Sequence, residues 1–495
     1  MDDLAPVLQP PTDPAAVSPP PPPWAGRAGP SVPSDPFGRA DLRAAGPGWR
    51  DSWAVGKALR EAVPRARHAE WTPPPDRADP VALIERSSRG RIEALVPLRL
   101  GRMAASPFAF LRGAAAVMAP DLAATPASGI HAVIDGDAHA ANFGLYGTPQ
   151  RDVVFDLNDF DETTIGPWEW DLKRLAASLD VIARDNGLGR AERTAAVLRM
   201  AQTYRQHMLA LAERPVLDVW HLHSYADLDR TEPTMTLDAE SRAVLDKAVE
   251  RARRRTHAQL LGKSAERGPD GGWRFKPEPP ILTRVDDATR EQVIDALQDY
   301  LATIATDWQF MLRRYRVVDV AHRVVGVGSV GNRAYLALLL GHSHDDPLFL
   351  QVKEAVACAY EPLLPPLPAG FQHNGQRIVH GQRLLQASTD MLLGWTSIGE
   401  RHFYVRQMKN MKGSIPVESL TGTPFLSYAW VVGLLLARAH ARTGDAAMIA
   451  GYCGRSDELD QAIVRFADAY GDQNAQDHAA LVAAIRAGRL RAVAG

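Results

Sequence analysis

Cysteine is nearly missing from the 495-residue chain: only Cys358 and Cys453 occur, too few for a disulfide framework or a cysteine-based zinc site. A surplus of charge is missing too. Lys and Arg number 56 against 58 Asp and Glu, a net charge of −2, which removes any broad electrostatic case for nucleic acid or an anionic membrane as partner. No apolar run reaches the roughly 18 residues a membrane-spanning helix needs. The strongest stretch, Trp430 to Ala437, is short and is followed by Arg438, His440 and Arg442. The chain opens Met1-Asp2-Asp3 with no apolar segment behind it, so no secretory signal is expected. Together these absences predict a protein of the reducing cytoplasm, with no membrane and no nucleic-acid partner. With 46% apolar and 23% charged residues, what remains is ordinary globular composition, long enough for one large core or two.

Residues 1–50 are rich in Pro, Gly and Ala, including the run Pro19 to Pro23, and are expected to be a disordered tail. From Val81 to Met118 the pattern is helical, with Ile84, Ile92, Leu95, Leu98 and Leu100 on one face and a new helix starting at Ser106-Pro107. Strands are predicted at His131–Ile134, Asn142–Tyr146 and Val153–Leu157. An amphipathic helix over Glu169–Arg184 turns Leu172, Leu175, Leu179 and Ile182 inward. Helices continue to about Arg255, and the basic cluster Arg251–Arg255 reads as a solvated face. Gly268–Pro280 reads as a loop and 286–315 as helical. Between Val317 and Met408 come short β-like runs: Arg323–Val325, Tyr335–Leu340, Leu348–Val352, Arg377–Leu385 and His402–Gln407, with one helix after Lys353. The remainder, from Tyr428, is helical.

The most informative stretch is Ile134-Asp135-Gly136-Asp137-Ala138-His139-Ala140-Ala141-Asn142, followed by the strand-like run ending at Asp156. An acid, an asparagine five residues on, and another acid after a strand are the parts with which phosphotransferases hold a base and Mg²⁺. Asp137 is the candidate catalytic base. Asn142 with Asp156 or Asp159 are the candidate metal ligands; Asp156 is slightly favoured because it directly ends the apolar strand. Asp161 and Asp171 complete five acids in a short stretch that would repel one another without a cation between them. A second constellation follows much later. Val325-Gly326-Val327-Gly328-Ser329-Val330-Gly331 is a glycine-rich loop, and Phe349-Leu350-Gln351-Val352-Lys353 a short run ending in lysine. Gly326, Gly328, Ser329 and Gly331 would cover a nucleotide and Lys353 would bind its phosphates. The acid pairing with Lys353 is open, Glu361 being the nearest candidate. A dinucleotide fold using Glu354 is the alternative, but needs a helix directly after the loop.

The first constellation resembles the catalytic core of the aminoglycoside phosphotransferase and choline kinase branch of the protein-kinase-like superfamily. In that comparison Asp137 matches the catalytic Asp, Asn142 the metal Asn and Asp171 the Asp that starts the next helix, while Asp135 stands where those families have His. Asp156 fits the spacing from Asn142, and Asp159 the spacing to Asp171. From about residue 85 to 480 the chain also resembles the bacterial family catalogued as domain of unknown function 2252. It does so through Ser106-Pro107-Phe108 to Arg112-Gly113, Gly136-Asp137 to Gly144, Phe155-Asp156 to Glu162, Val325 to Gly331, and Ala439 to Asp445.

The expected architecture is α+β: a kinase-like two-lobe fold in circularly permuted order. Residues 51–316 would form the helical large-lobe part, 317–410 a small antiparallel β lobe, and 411–495 a helical segment completing the large lobe. The expected activity is ATP- and Mg²⁺-dependent phosphoryl or nucleotidyl transfer to an acceptor, small molecule or protein, that the sequence does not identify. Two alternatives stand beside it: an inactive nucleotide-binding module, and a metal-dependent hydrolase using the acid cluster with His139.

Overall fold

The structure, a computed structural model, describes residues 48–493 apart from 225, 227–236, 270, 325, 327, 344, 368–370 and 409. The expected disordered tail lies outside the described residues, save Gly48 to Arg50. Helices come first: α1 (Trp49–Ala62), α2 (Pro80–Ser87), α3 (Val96–Met103), α4 (Pro107–Gly113) and α5 (Ala115–Ala123). α4 starts as its sequence predicts. Ser106 accepts the Ala109 N–H at 3.2 Å and Pro107 takes the first helical position, where a missing N–H leaves nothing unsatisfied.

Four short strands follow: β1 (His131–Ile134), β2 (Phe143–Gly147), β3 (Val153–Leu157) and β4 (Thr164–Pro167). β1 pairs with β4 and β2 with β3, both antiparallel. Two connections therefore run between the pairs, 135–142 outward and 158–163 back, and they lie side by side: Asn158 N–H bonds the Asn142 carbonyl at 3.0 Å.

Next come α6 (Trp168–Asp185), α7 (Arg190–Ala212), α8 (Val216–His221), α9 (Ala239–Arg253) and α10 (His257–Ser264). The sequence predicts one buried face for α6, but every residue from Trp168 to Ala183 is buried. Its Glu169, Asp171, Lys173, Arg174 and Asp180 do not form a solvated face; each needs a partner inside the protein. The expected solvated face at the end of α9 is present, with Arg251, Arg253, Arg254 and Arg255 exposed.

The β-rich part comprises β5 (Ala265–Arg267), β6 (Trp273–Phe275), β7 (Leu282–Arg284), α11 (Asp287–Tyr300), α12 (Thr306–Leu312), β8 (Arg316–Arg323), β9 (Ala334–Leu340), β10 (Pro347–Glu354), α13 (Asn374–Leu385), β11 (Gly394–Ile398) and β12 (Arg401–Gln407). Six of these strands make one antiparallel sheet in the order β11-β12-β10-β9-β8-β7. Strand alternation sorts its side chains. Leu348, Leu350 and Val352 of β10 join Leu297 and Tyr300 of α11 in one core. Phe349 packs on the opposite face with Leu260 and Phe275. Lys353 is one pleat from Gln351 and two from Phe349, so it leaves the α11 face.

Three sequence expectations fail here. Of the expected strand Arg323–Val325 only Arg323 lies in a strand, at the end of β8, and Val325 lies outside the described residues. Gly268–Pro280 is not all loop, since β6 lies within it. Arg377–Leu385 is not a strand but most of α13. Its buried Ile378, Val379, Gln382 and Leu385 keep helical spacing that the local Arg-Ile-Val run disguises. Gly381 lets this helix lie against the 158–163 connection, because a Cβ there would sit 2.3 Å from Thr163 Cγ2. The chain closes with α14 (Gly422–Thr443), α15 (Ala446–Cys453) and α16 (Glu458–Arg486). α14 and α7 pack through Met200, Tyr204, Val432, Leu435 and Ala439 in the largest core.

Candidate functional site

The 135–142 connection is held rigidly from below. Asp171, in the first turn of α6, accepts the N–H groups of Asp135 and Gly136 at 2.7 and 2.9 Å. His440 Nε2 of α14 lies 3.2 Å from Asp171, and the Tyr204 hydroxyl 2.9 Å from His440 Nδ1. His440 is thus a hydrogen-bonding core histidine. The Tyr360 hydroxyl donates to the Gly136 carbonyl at 2.7 Å. Gly136 has φ +75°, and a Cβ there would stand 2.2 Å from the Glu162 carbonyl oxygen. Only glycine permits that turn together with that approach. Gly136→Ala is expected to shift the loop and reduce any activity of the site at least about tenfold; unchanged activity in a folded variant would show that the loop tolerates displacement.

Asp137 stands on this loop with 22% of its side chain open. Arg174, one helical turn beyond Asp171 on α6, donates to Asp137 Oδ1 at 2.6 Å. Burial outweighs the attraction of Arg174 and lifts the Asp137 carboxyl to about 7. Asp135 is fully buried; its Oδ2 takes Asn142 Nδ2–H at 2.9 Å and its Oδ1 has no partner among the described residues. Burial first, then Asp171, raises Asp135 well above the usual carboxylate range. His139 is buried, its Nε2 3.8 Å from Asp137 Oδ2. Burial, then Arg112 and Arg174, pushes the imidazole well below its ordinary value, so it is neutral. Because Nδ1 accepts the Ala141 N–H at 3.2 Å, the proton sits on Nε2.

Asn142 joins the two connections. Its Oδ1 accepts the Asp159 N–H and its Nδ2 donates to the Asp159 carbonyl, both at 2.8 Å. Asp159 points its carboxylate into the cavity, 51% exposed, with Lys353 Nζ 3.8 Å away. Asp161 is the closer partner: Lys353 Nζ reaches its Oδ2 at 2.5 Å, where the Ser329 hydroxyl also donates at 3.0 Å, and the Tyr404 hydroxyl donates to Oδ1 at 3.2 Å. Burial opposes both charges, but Asp159 and Asp161 raise Lys353 while Lys353 lowers Asp161. The glycine loop is pinned from the other side. Arg91 donates to the carbonyls of Gly328 and Val330 at 2.9 and 2.7 Å, and the Ile92 N–H to that of Gly331 at 2.7 Å.

One cavity of about 210 Å³ gathers these groups: Asp137, His139, Asn142, Asp159, Asp161, Gly326, Gly328 and Ser329 all line it, and Lys353 reaches it through Asp161. Val325 and Val327 lie outside the described residues.

Other expected residues are elsewhere. Asp156 does not line the cavity. It is buried in β3, accepting the Leu157 and Ala387 N–H groups at 2.9 and 3.4 Å, and burial holds its carboxyl at about 6. The preference for Asp156 over Asp159 is therefore corrected: the strand's end residue is paired inside, and the acid three residues on reaches the opening. Glu361 is exposed and is not the partner of Lys353; Asp161 is. α13, the helix after the lysine strand, contains no acidic residue. Its Arg377 instead holds the carbonyls of Thr163, Asp161 and Val356 at 2.5, 3.0 and 2.8 Å. The dinucleotide alternative also fails, since the strand β9 and not a helix follows the glycine loop. Glu354 is occupied by Arg401 at 2.7 Å and Arg333 at 3.4 Å.

Arg174, Tyr404, Arg406, Arg91 and Arg99 are absent from the sequence expectations, and Arg112 enters them only as the end of a family-resemblance phrase. Arg174 was detectable, lying i+3 from Asp171 on one helix face. Arg406 sits one pleat from Tyr404 and donates to Gln351 Oε1 at 3.1 Å.

The oxygen donors suit a hard divalent ion in part. Among the described residues no three His, Cys, Asp or Glu side chains are grouped to hold a metal by themselves. Asp159 has an exposed carboxylate, and the Asn142 carbonyl keeps one lone pair. Such a set fits Mg²⁺ taking most of its ligands from water and substrate phosphates.

No curated protein and no solved structure matches the chain. A family model described as "uncharacterized protein conserved in bacteria" (DUF2252) matches residues 91–484, from the arginine that pins the glycine loop to the last turn of α16. The chain belongs to this bacterial family.

Proposed function

We propose that this protein is an ATP- and Mg²⁺-dependent phosphotransferase of kinase-like, circularly permuted two-lobe fold. The observation that carries the reading is the Lys353–Asp161 contact. It joins a lysine strand and an acid connection 192 residues apart over a cavity that also holds Asp137 and the glycine loop. The β-rich part supports it further. A glycine loop joins β8 to β9, the lysine stands on the next strand, a helix separates β10 from β11, and the strands run β8-β9-β10-β12-β11. That order of elements is the one the kinase-like reading expects of its nucleotide-gripping parts. They follow the catalytic connection in sequence instead of preceding it, and α14 returns His440 to support Asp171.

Lys353 would bind nucleotide phosphates once released from Asp161, and Ser329 with the glycines would cover them. A bound Mg²⁺, held by Asp159 and Asn142, would neutralise phosphate charge. Asp137 would orient the acceptor hydroxyl and take its proton. Arg174 fixes Asp137 in that position. His139, with its proton on Nε2 and its Nδ1 occupied, is a poor metal ligand, which weighs against the hydrolase alternative. The closed Lys353–Asp161–Ser329 contact favours the inactive nucleotide-binding module as second reading. Stabilisation of the fold by Mg²⁺ and ATP with no turnover on any acceptor would select it.

The test is the pH dependence of slow ATP hydrolysis without acceptor, water replacing the hydroxyl. Asp137 must be ionised to act as base, and its carboxyl titrates at about 7. The rate should rise about tenfold per pH unit below that value and level off above it. A measurable rate that is flat across neutral pH would contradict the role of Asp137.

A further inference from the structure

Two groups of cations stand at the cavity, and one of them makes few direct ion pairs. Lys353 and Arg406 lie with Asp159, Asp161 and Tyr404. Arg91, Arg99 and Arg112 come from the segment after α2, from α3 and from the end of α4, and all three also line the cavity. Arg99 is 1% exposed. Its guanidinium donates to Ser88 Oγ at 2.9 Å, Ser87 Oγ at 3.1 Å and the Gly113 carbonyl at 3.0 Å, all neutral acceptors. Its Nε–H has no partner among the described residues, and neither has that of Arg112. Arg91 donates to three carbonyls, those of Ser87, Gly328 and Val330. Among the described residues the one carboxylate within ion-pair distance of this trio is Glu418, 3.5 Å from Arg112; Glu162 acts on Arg91 and Arg99, and Asp161 and Glu354 on Arg91, from farther away. Glu162 lines the same cavity but accepts the Ala359 N–H at 2.6 Å. α5 starts at this wall: Ala115 and Ala116 line the cavity and, among the described residues, no side chain caps the helix, so its first turn begins beside the cavity with N–H groups to satisfy, that of Val117 being bonded to the Ala114 carbonyl. A buried guanidinium without a counter-anion is unfavourable. Burial, then the neighbouring Arg91, lowers Arg99 to about 9.

We propose that Arg99, Arg91 and Arg112, with the start of α5, form an anion subsite for the acceptor, which therefore carries a phosphate or carboxylate group beside its reacting hydroxyl. The proposal rests on the phosphotransferase reading. Within it, nucleotide phosphates go to the Lys353 and Asp159 side. Arg112 lies beside His139, whose imidazole feels its charge, and so on the side of Asp137, where an acceptor must present its hydroxyl; Arg91 ties this wall to the glycine loop. Cationic acceptors such as amines would be repelled by the same trio.

Calorimetric titration with inorganic phosphate tests this, using the full chain with and without a saturating non-hydrolysable ATP analogue and Mg²⁺. Wild type should bind phosphate in both conditions. Arg112→Gln, on a partly exposed side chain that leaves the fold intact, and Arg99→Gln should each weaken phosphate binding about tenfold or more while the analogue binds as before. Displacement of phosphate by the analogue, with both variants losing analogue affinity, would assign the trio to the terminal nucleotide phosphate and overturn the proposal. No phosphate binding by wild type, or unchanged binding in a folded Arg112→Gln, would also overturn it. Arginine-dependent phosphate binding by a protein that never binds the analogue would instead overturn the phosphotransferase reading and leave the anion subsite standing.

Discussion

Asp137→Asn should lower phosphoryl transfer by about 10²–10⁴-fold while the affinity for ATP with Mg²⁺ changes less than about threefold. The amide keeps the size of the carboxyl and one oxygen to accept from Arg174, so the loop should hold its shape. What it loses is a basic oxygen for the acceptor proton. The nucleotide's proposed contacts, Lys353, Asp159 and the glycine loop, do not include the Asp137 carboxylate, whose side-chain partner is Arg174. Steady-state rates with an acceptor, or phosphate release without one, read the first half of this expectation. Calorimetry reads the second. Full turnover by Asp137→Asn would remove the base from the mechanism.

Arg174→Met is expected to act on stability and catalysis together. Arg174 is 1% exposed and pairs with Asp137, and it also donates to the Leu111 carbonyl at 2.9 Å. Removing one member of a buried pair leaves the other uncompensated, typically at a cost of about 3–5 kcal/mol; the opening at Asp137 places the value toward the lower end. The sign of the pH effect follows from linkage. Asp137 titrates at about 7 in the fold, above an unfolded carboxyl, so the folded state binds the proton more tightly. Its stabilising contribution is present at low pH and is lost as pH rises through about 7. Losing Arg174 raises that carboxyl further. The destabilisation measured by urea unfolding should therefore be larger at about pH 8 than at about pH 5, and the midpoint of the rate profile should move upward. A cost below about 1 kcal/mol with an unmoved midpoint would show that Arg174 does not control Asp137.

The parts of the site written as local runs were legible from the chain alone. β1 and β3 match their predicted spans because each is a short apolar run bounded by turn residues. Asp137, Asn142, Asp159 and Ser329, which line one cavity, and Lys353 beside it stand out in the chain because their spacing is itself the signal. Contacts between distant segments were not legible. The expected partner of Lys353, Glu361, follows it in the chain, whereas the fold supplies Asp161 from the preceding half. Asp156 was favoured by its place at a strand end, but its carboxylate is committed to backbone N–H groups inside. α13 was mistaken for a strand because two β-branched neighbours outweighed a helical stripe visible only over three turns. The arginine trio makes no pattern as a group, although Arg112 ends one phrase of the family resemblance, since three separate segments contribute one residue each and a single arginine is ordinarily solvated.

The central claim is that the lysine strand and the acid connection enclose a nucleotide with its metal. Titration calorimetry of ATP, with and without Mg²⁺, addresses it directly in wild type, Lys353→Met, Asp159→Asn and Asp156→Asn. The account predicts Mg²⁺-dependent binding that Lys353→Met and Asp159→Asn each weaken about tenfold or more, with Asp156→Asn within about threefold of wild type. Absence of ATP binding by wild type, or binding indifferent to both Mg²⁺ and Lys353, would contradict it.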